Sequence, residues 1–363
     1  MNIKNLLSIF YKNTFNNYIP DFVMQKIFST LVFLAGLSIA GQAQNGYKPA
    51  YPFEVGVQLG TAMFLGDLGG QSGIGRPFLR DSDFKAIRPN FGIYGRWNPS
   101  PYFSARLDLG FLMLKGDDNL ASDGTRGGFS GTDPNTGGGD DAWFRYYRQL
   151  NFRSRVFEGS ISAEIIPYNF ELGGGYQSYS VLSPYGFIGI GIFNFRPQGN
   201  TPDGAWVDLK PLKTEGQGFV PGRLDYKLTQ LNIPLGLGLK WSYNDQWAMC
   251  VEVNHRLTFT DYIDDLSTDY IDPKLFIDNM PVDQARLAIA MSRRSIEIDP
   301  GSTVTYNGVT FNTGGVNARV SNPSEQRGDP KDNDSYYTIT LRFSYFIDPS
   351  SLGGGRRYGC PVW

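Results

Sequence analysis

The stretch YKLTQLNIPLGLGLKW, residues 226–241, alternates between apolar side chains and small or polar ones. Its odd positions from 231 onward carry only leucine, isoleucine and tryptophan, while its even positions carry Gln, Asn, Pro, Gly and Lys. A period of two places alternate side chains on opposite faces of a β-strand. The stretch therefore predicts a strand with one continuous apolar face, long enough to cross a membrane at a tilt.

Seven further segments share this alternation, which makes eight in all. An even number of strands allows an antiparallel sheet to close on itself and to remove its edges. The sequence therefore predicts an all-β fold, an eight-stranded antiparallel transmembrane β-barrel within residues 44–348. A soluble sandwich with a second apolar core is the alternative. The seven segments are FEVGVQLGTAMFL from Phe53, NFGIYGRWN from Asn90, YFSARLDLGFLML from Tyr102, RVFEGSISAEII from Arg155, YGFIGIGIFNF from Tyr185, WAMCVEVNHRLTF from Trp247 and YYTITLRFSYFI from Tyr336.

The connections between these segments alternate in length, as in membrane barrels with short periplasmic turns and long extracellular loops. This order places both ends of the barrel in the periplasm. Aromatic side chains such as Trp97, Trp241 and Trp247 flank the short turns, where rings favour the bilayer interface. The long connections are expected to carry structure of their own. The short connections are 98–101, the Gly-rich piece after Tyr168 and 242–246, and the long ones are 66–89, 116–154, 196–225 and 260–335.

The N-terminal region predicts export from the cytoplasm. Lys26 precedes an apolar run over 27–40, and small residues favour cleavage after Ala43, as in a secretory signal peptide. The apolar run is shorter than the ~20 residues that span a bilayer. Residues 1–43 are thus interpreted as a signal peptide with an upstream extension, and Met1 and Met24 are the two candidate start residues. The near-neutral net charge of −2 and the absence of a basic stripe argue against nucleic-acid binding, so the expected surroundings are outer-membrane lipid.

The inward positions of the predicted strands carry five acids and five bases. An eight-stranded barrel has room inside for little more than side chains, and buried charges must be paired, because an unpaired one costs several kcal/mol. The sequence therefore predicts a plugged, salt-bridged lumen, with a small-solute channel or ligand-binding barrel as the alternative. The ten residues are Glu54, Arg96, Arg106, Asp108, Glu158, Glu164, Lys240, Glu252, Arg256 and Arg342.

Catalytic motifs are missing from the sequence. His255 is the one histidine, it lies on the predicted outward face of its strand, and no GxSxG, HExxH or phosphate-binding glycine loop occurs. A hydrolase triad needs a nucleophile, a base and an orienting group within hydrogen-bond reach. The sequence thus predicts no enzyme and no cofactor, with a lipid-modifying enzyme as a remote alternative.

The stretch TFTDYIDDLSTDYIDP, residues 258–273, contains five aspartates. Calcium prefers such oxygen ligands, but the spacing departs from the DxDxDG loop. The preferred interpretation is a solvated rim, where Asp261, Asp264 and Asp265 meet water while Tyr262 and Tyr270 lie at the membrane interface. A metal site is not predicted, and the weak calcium candidates are Asp261, Asp264, Asp265 and Asp269.

Several of these stretches together resemble a Bacteroidota outer-membrane barrel family that includes PorG, a component of the type IX secretion machinery. They are FEVGVQLGTAMFLGDL, SPYGFIGIGIFNFRP, LKPLKTEGQG, LTQLNIPLGLGLKW, TDYIDDLSTDY and the C-terminal GCP. The resemblance implies an eight-stranded barrel that tethers a periplasmic ring of the PorK/PorN type to the outer membrane. It implies a non-enzymatic scaffold role in protein secretion and gliding.

The tail SSLGGGRRYGCPVW follows the last strand and would lie in the periplasm. Residues 349–363 are therefore a predicted periplasmic tail, either a docking peptide built on Arg356, Arg357, Cys360 and Trp363 or a disordered end. The chain has two cysteines, which excludes a disulfide scaffold. A disulfide between Cys250 and Cys360 is one possibility in an oxidising periplasm, and a free thiol or a bond to a partner is the other.

Overall fold

The computed structural model describes residues 52–68, 86–121, 147–172, 180–315 and 317–347. Within these ranges it contains twelve strands and three α-helices. The strands are β1 (Phe53–Leu65), β2 (Arg88–Trp97), β3 (Phe103–Asp117), β4 (Asn151–Ile165), β5 (Phe170–Leu172), β6 (Ser180–Asn200), β7 (Trp206–Asp208), β8 (Thr229–Ser242), β9 (Trp247–Thr258), β10 (Thr303–Tyr306), β11 (Val309–Asn312) and β12 (Ser335–Ile347). The helices are α1 (Asp118–Ala121), α2 (Pro273–Asn279) and α3 (Val282–Ser292), and 3₁₀ turns occupy Lys210–Leu212, Arg294–Glu297 and Asn317–Ser321.

Eight of these strands form a closed antiparallel barrel, which confirms the predicted fold. Around the barrel the order is β4, β3, β2, β1, β12, β9, β8 and β6, and pairing of β4 with β6 closes it. The short strands β5 and β7 pair with the two ends of β6. Strand β6 extends over 21 residues and begins at Ser180, five residues before its predicted start, because its first residues still pair with the end of β8.

The outer wall of the barrel is apolar, while its inner wall is polar. Outward side chains in mid-strand, such as Leu237 and Ile190, are both 70% exposed. At one end the rings of Trp247 and Tyr345 meet edge to face at 5.0 Å, as expected of an interfacial aromatic girdle. A wide exposed apolar wall around a polar interior is the reverse of a soluble core and fits lipid on the outside. The barrel is thus of the outer-membrane type, and the alternative of a soluble sandwich is wrong.

The two ends of the barrel differ. We call the end that carries the short connections after β2, β4 and β8 the turn rim, and the opposite end the loop rim. By the short-turn rule the turn rim is periplasmic. Among the described residues no helix is long and apolar enough to cross a membrane, and this finding has no bearing on crossing by strands.

The main apolar core lies at the loop rim. We call residues 201–228 and 259–334 the loop cap. Its side chains Leu212, Ile263, Leu266 and Phe276 pack with buried residues from the ends of the strands, such as Phe195. Helices α2 and α3 and the hairpin β10–β11 belong to this cap. The described parts of 201–228 and 259–334 therefore form a second layer over the barrel, and the main apolar core lies between this layer and the strand ends.

Candidate functional site

All ten charged residues assigned to the lumen by strand periodicity lie inside the barrel, and each is at most 8% exposed. Along these strands, buried inward-facing residues alternate with exposed outward-facing ones. The charged groups therefore converge on the barrel axis from opposite walls. The ten residues and their strands are Glu54 on β1, Arg96 on β2, Arg106 and Asp108 on β3, Glu158 and Glu164 on β4, Lys240 on β8, Glu252 and Arg256 on β9, and Arg342 on β12.

Eight of these ten residues form one continuous chain of ion pairs across the lumen. Arg106 is its centre: it pairs with Asp108 and Glu252 at 2.7 Å each and also contacts Glu164. Arg342 joins from the opposite side through Asp108 at 2.7 Å and Glu252 at 2.8 Å. Because Arg106 and Arg342 share two carboxylates, opposite walls of the barrel are connected.

The chain continues toward the turn rim through Arg96. Its guanidinium lies 2.6 Å from Glu54 and 2.9 Å from Glu164, and Lys240 closes the series at 2.6 Å from Glu54. Four bases thus meet four acids, and the chain is neutral. The remaining two of the ten residues, Arg256 and Glu158, form a separate pair 3.2 Å apart, nearer the loop rim.

Aromatic rings fill the space around the guanidinium groups. Arg106 lies 4.7 Å from the centre of the Phe187 ring, and Arg342 lies 4.9 Å from that of Tyr94. The hydroxyl of Tyr185 donates to Glu252 at 2.9 Å. Such contacts between cations and ring faces add to the ionic pairing where water is scarce. The lumen is therefore a packed polar core in which each of the described acids faces a base.

Most of the segment 258–273 is buried against the loop cap, and the predicted exposure of Asp261, Asp264 and Asp265 to solvent is wrong. Asp264 and Asp265 are 0% exposed, Asp261 is 7% exposed and Tyr270 is 2% exposed. The reason is tertiary: Ile263 and Leu266 enter the apolar core of the cap, and they draw the neighbouring aspartates inward. Tyr262 is half-buried, and its ring stacks on the ring of Tyr226 with 4.6 Å between the ring centres. Neither Tyr262 nor Tyr270 therefore lies at the membrane interface.

The buried segment is held by the TEGQG stretch, residues 214–218. The carboxylate of Glu215 accepts hydrogen bonds from the backbone of Ser267 at 3.0 Å and from the hydroxyl of Thr268 at 2.7 Å. The hydroxyl of Thr214 donates to Asp265. Gly216 and Gly218 have φ angles of 79° and 85°, a region that favours glycine. Two stretches that look unrelated along the chain thus form one polar network.

Arg327 completes this network from the other end of the cap. It is 1% exposed, lies 2.9 Å from Glu215 and 3.8 Å from Asp265, and donates to the carbonyl of Asp265. Tyr226 donates to the other oxygen of Asp265 at 2.7 Å. Burial raises the pKa of Asp265 to about 6, although Arg327 opposes the shift. No feature of the sequence around Arg327 marked it, since it contacts Glu215 across more than a hundred residues.

The four weak calcium candidates do not share one site. Asp265 pairs with Arg327, and Asp269 is exposed and forms an isolated bridge with Gln326. Asp261 and Asp264 remain close to each other, since each raises the pKa of a common neighbour, Asp334. Within the described ranges no group of three or more His, Cys, Asp or Glu side chains is arranged to hold a metal ion.

The other predicted residues are divided between the wall and undescribed segments. Cys250 is buried in the lumen beside Arg96, with 4.0 Å between its sulfur and the guanidinium. His255 occupies an outward register position on β9, opposite Leu235 and Tyr337. The signal peptide, the tail, the docking residues Arg356, Arg357, Cys360 and Trp363, and hence the Cys250–Cys360 disulfide lie outside the described residues and stay predictions.

Comparisons with known proteins add little at the level of sequence. No family model matches the chain, and no curated protein matches it. Among solved structures, the chain is similar to Ail, the attachment invasion locus protein of Yersinia pestis, crystallised in complex with the heparin analogue sucrose octasulfate. The identity is 8% and the TM-score 0.30, over 81% of this chain and 98% of Ail. The closed antiparallel wall and the apolar outer surface described above make this chain an eight-stranded outer-membrane β-barrel.

Proposed function

We propose that this barrel is a non-enzymatic scaffold that anchors a periplasmic assembly to the outer membrane. The observation that carries the proposal is the neutral chain of ion pairs that crosses the lumen between opposite walls. A solute path would require these pairs to separate inside a barrel whose interior holds little more than side chains. The plugged lumen favours a structural role over transport.

The proposed partner is a periplasmic ring of the PorK/PorN type from the type IX secretion machinery. This step rests on the resemblance to the barrel family that includes PorG. Its two most specific stretches, TEGQG and TDYIDDLSTDY, meet in the loop cap, on the side away from the periplasm. Those stretches therefore support a shared cap architecture, and the contact with the ring is assigned to the turn rim and the tail that follows Ile347.

Affinity purification of the tagged full chain from detergent-solubilised outer membrane tests the anchor role. We expect periplasmic ring proteins to be recovered with it. A chain that lacks residues 349–363 should recover less of the ring, and a chain with Glu297→Gln in the loop cap, where the exposed Glu297 pairs with the buried Arg294, should recover the same amount as the parent. Heat-dependent migration on gels would establish that each barrel is folded. Ring proteins missing from the parent sample would contradict the anchor role.

Planar-bilayer recordings separate the scaffold from the small-solute channel. The parent barrel should give no unitary current, because its ion pairs are closed. Arg106→Ala combined with Glu252→Ala removes both the central cation and one of its partners, and this variant serves as a test of whether an opened lumen can be detected. Steady unitary currents from the parent barrel would overturn the plugged-lumen interpretation.

A further inference from the structure

Four carboxyl groups come together at the loop rim, where three chain segments meet. Asp67 follows β1, Asp261 and Asp264 follow β9, and Asp334 precedes β12. One oxygen of Asp334 accepts from the backbone of Ile263 at 2.8 Å, which fixes it beside the Asp261–Asp264 turn. The ends of strands β1, β9 and β12 are neighbours in the barrel, and this adjacency brings the four acids together.

Four oxygens in this group have no hydrogen-bond partner among the described residues. They are both carboxyl oxygens of Asp261, Oδ2 of Asp264 and Oδ1 of Asp334, on side chains that are 7%, 0% and 1% exposed. The Asp334 oxygen lies only 2.1 Å from the point that a Cβ on Gly66 would occupy, so it faces the backbone just before Asp67. A buried carboxylate oxygen without a donor is costly. A proton on the carboxyl group would remove this cost, since it removes the charge and supplies a donor.

The basic groups nearby are committed to other acids. Arg148 donates to both oxygens of Asp118 at 2.8 and 2.9 Å and to the backbone carbonyl of Asp67. Arg327 pairs with Glu215 at 2.9 Å. The four carboxyl groups therefore share no guanidinium of their own.

The remaining charged neighbours increase the repulsion. Glu215 faces the group from the 214–218 segment, and Asp329 faces it from the loop before β12, where its backbone N–H donates to Asp67 at 2.6 Å. Burial, with repulsion from Asp264 and Asp67, raises the pKa of Asp261 to about 10.

The same causes act on the other three groups. Burial raises the pKa of Asp264 and Asp334 well above the ordinary range, with repulsion from Asp67 on both and from Asp264 and Asp261 on Asp334, and it raises that of Asp67 in the same direction. The backbone N–H of Leu266, Arg148 and Arg327 oppose the shift at Asp264, but each does so less than burial and Asp67 raise it.

We propose that Asp261, Asp264 and Asp334 hold protons at neutral pH and, together with Asp67, form a proton-dependent latch that fastens the loop cap to the barrel. When protonated, these three carboxyl groups can donate to one another and to Asp67, and they join the ends of three segments. When the protons leave, like charges at close range push those segments apart. The latch therefore keeps the cap closed in neutral and acidic surroundings and releases it in alkaline ones. It is independent of the proposed anchor role, which concerns the opposite rim.

Hydrogen exchange of the full chain in lipid nanodiscs tests the latch. The parent is compared at equal pH with Asp264→Asn/Asp334→Asn, in which neutral amides replace the two most buried acids. At about pH 4, near the ordinary pKa of an aspartate, the cap peptides of both proteins should exchange alike. At about pH 9.5 the parent cap should exchange at least about tenfold faster than the cap of the double variant, as one unit of pKa shift corresponds to a factor of ten. Asp278→Asn, an exposed cap acid near Tyr306, should follow the parent at both pH values.

Two further measurements keep the result interpretable if the double variant does not fold. The infrared band of protonated carboxyl groups should be present in the parent at neutral pH and should fade on alkaline titration. Its absence at neutral pH, or equal exchange of parent and double variant at high pH, would overturn the latch. Calcium chloride and EDTA form the last arm: protection at high pH that returns with calcium, together with loss at pH 6 in EDTA, would assign the carboxylates to a cation instead.

Discussion

The lumen and the loop cap both bury many charged groups, but they stabilise them differently. In the lumen four acids meet four bases in one chain, and a fifth pair lies alongside. In the cap the acids outnumber the bases, because Arg327 serves Glu215 and Asp265 while four further aspartates share no base. The lumen therefore relies on pairing, and the cap relies partly on protons. The same fold thus contains one polar core of matched charges and one with an excess of acids.

The largest expected effect follows from removing the central base of the lumen. Arg106→Met leaves Asp108, Glu164 and Glu252 with fewer partners inside the barrel. Loss of one member of a buried pair costs about 3–5 kcal/mol. We expect the free energy of unfolding to fall by that amount, measured from urea titrations of the barrel in lipid vesicles. Arg196→Met provides the control, since Arg196 forms an ion pair with Asp208 at the exposed surface. Equal shifts for the two variants would mean that burial of the pair is irrelevant.

A somewhat smaller effect is expected from Arg327→Met in the cap. This change leaves Glu215 and Asp265 buried without their guanidinium. Asp265 already has a pKa near 6, so it can take up a proton and offset part of the penalty. We therefore expect a loss of about 2–3 kcal/mol, confined to the cap. Hydrogen exchange should accelerate in peptides of residues 259–334 and stay unchanged in β2 and β3. A uniform acceleration across the barrel would contradict the division into two cores.

The pH dependence of the cap gives the third comparison. The folded pKa of Asp265 lies at about 6, raised from 3.8 by burial. An acid whose pKa is raised on folding stabilises the protonated folded state. Its contribution to stability is therefore present below about pH 4 and is lost as pH rises through about 6. The contribution of Asp265 to cap protection should therefore fall by on the order of 2–3 kcal/mol between those values. Asp265→Asn should make this part of the profile less steep. An unchanged profile in the variant would assign the transition to another group.

The barrel could be predicted from the sequence because its signal is local. A period of two fixes which side chains face inward, so Glu252 and Arg342 could be assigned to the lumen without knowledge of their partners. The cap could not be predicted in this way, because its contacts join residues that lie far apart along the chain, such as Glu215 and Arg327. These contacts follow no periodic pattern. Asp261 and Asp264 appear hydrophilic in isolation. Only the burial of Ile263 and Leu266 beside them reveals that the segment turns inward.

The smallest expected effect concerns Tyr336, which lies between the two cores. Its ring belongs to the apolar core at the loop rim, while its hydroxyl lies 3.0 Å from Asn232 and 3.4 Å from Glu158 in the lumen. Tyr336→Phe keeps the ring and removes the hydroxyl with both of these contacts, so we expect a loss of about 1 kcal/mol. Arg256→Met perturbs the Glu158 pair from the other side.

A double-mutant cycle of these two changes measures whether the cores are coupled. If the hydroxyl acts through Glu158, the two losses should not add, and the shortfall should appear both in urea unfolding of the barrel and in hydrogen exchange of the cap. Strict additivity would mean that the ring alone joins the two regions. In that case the cap could open at high pH without any change in the lumen, so the coupling at Tyr336 decides how far the effect of the cap protons extends into the barrel.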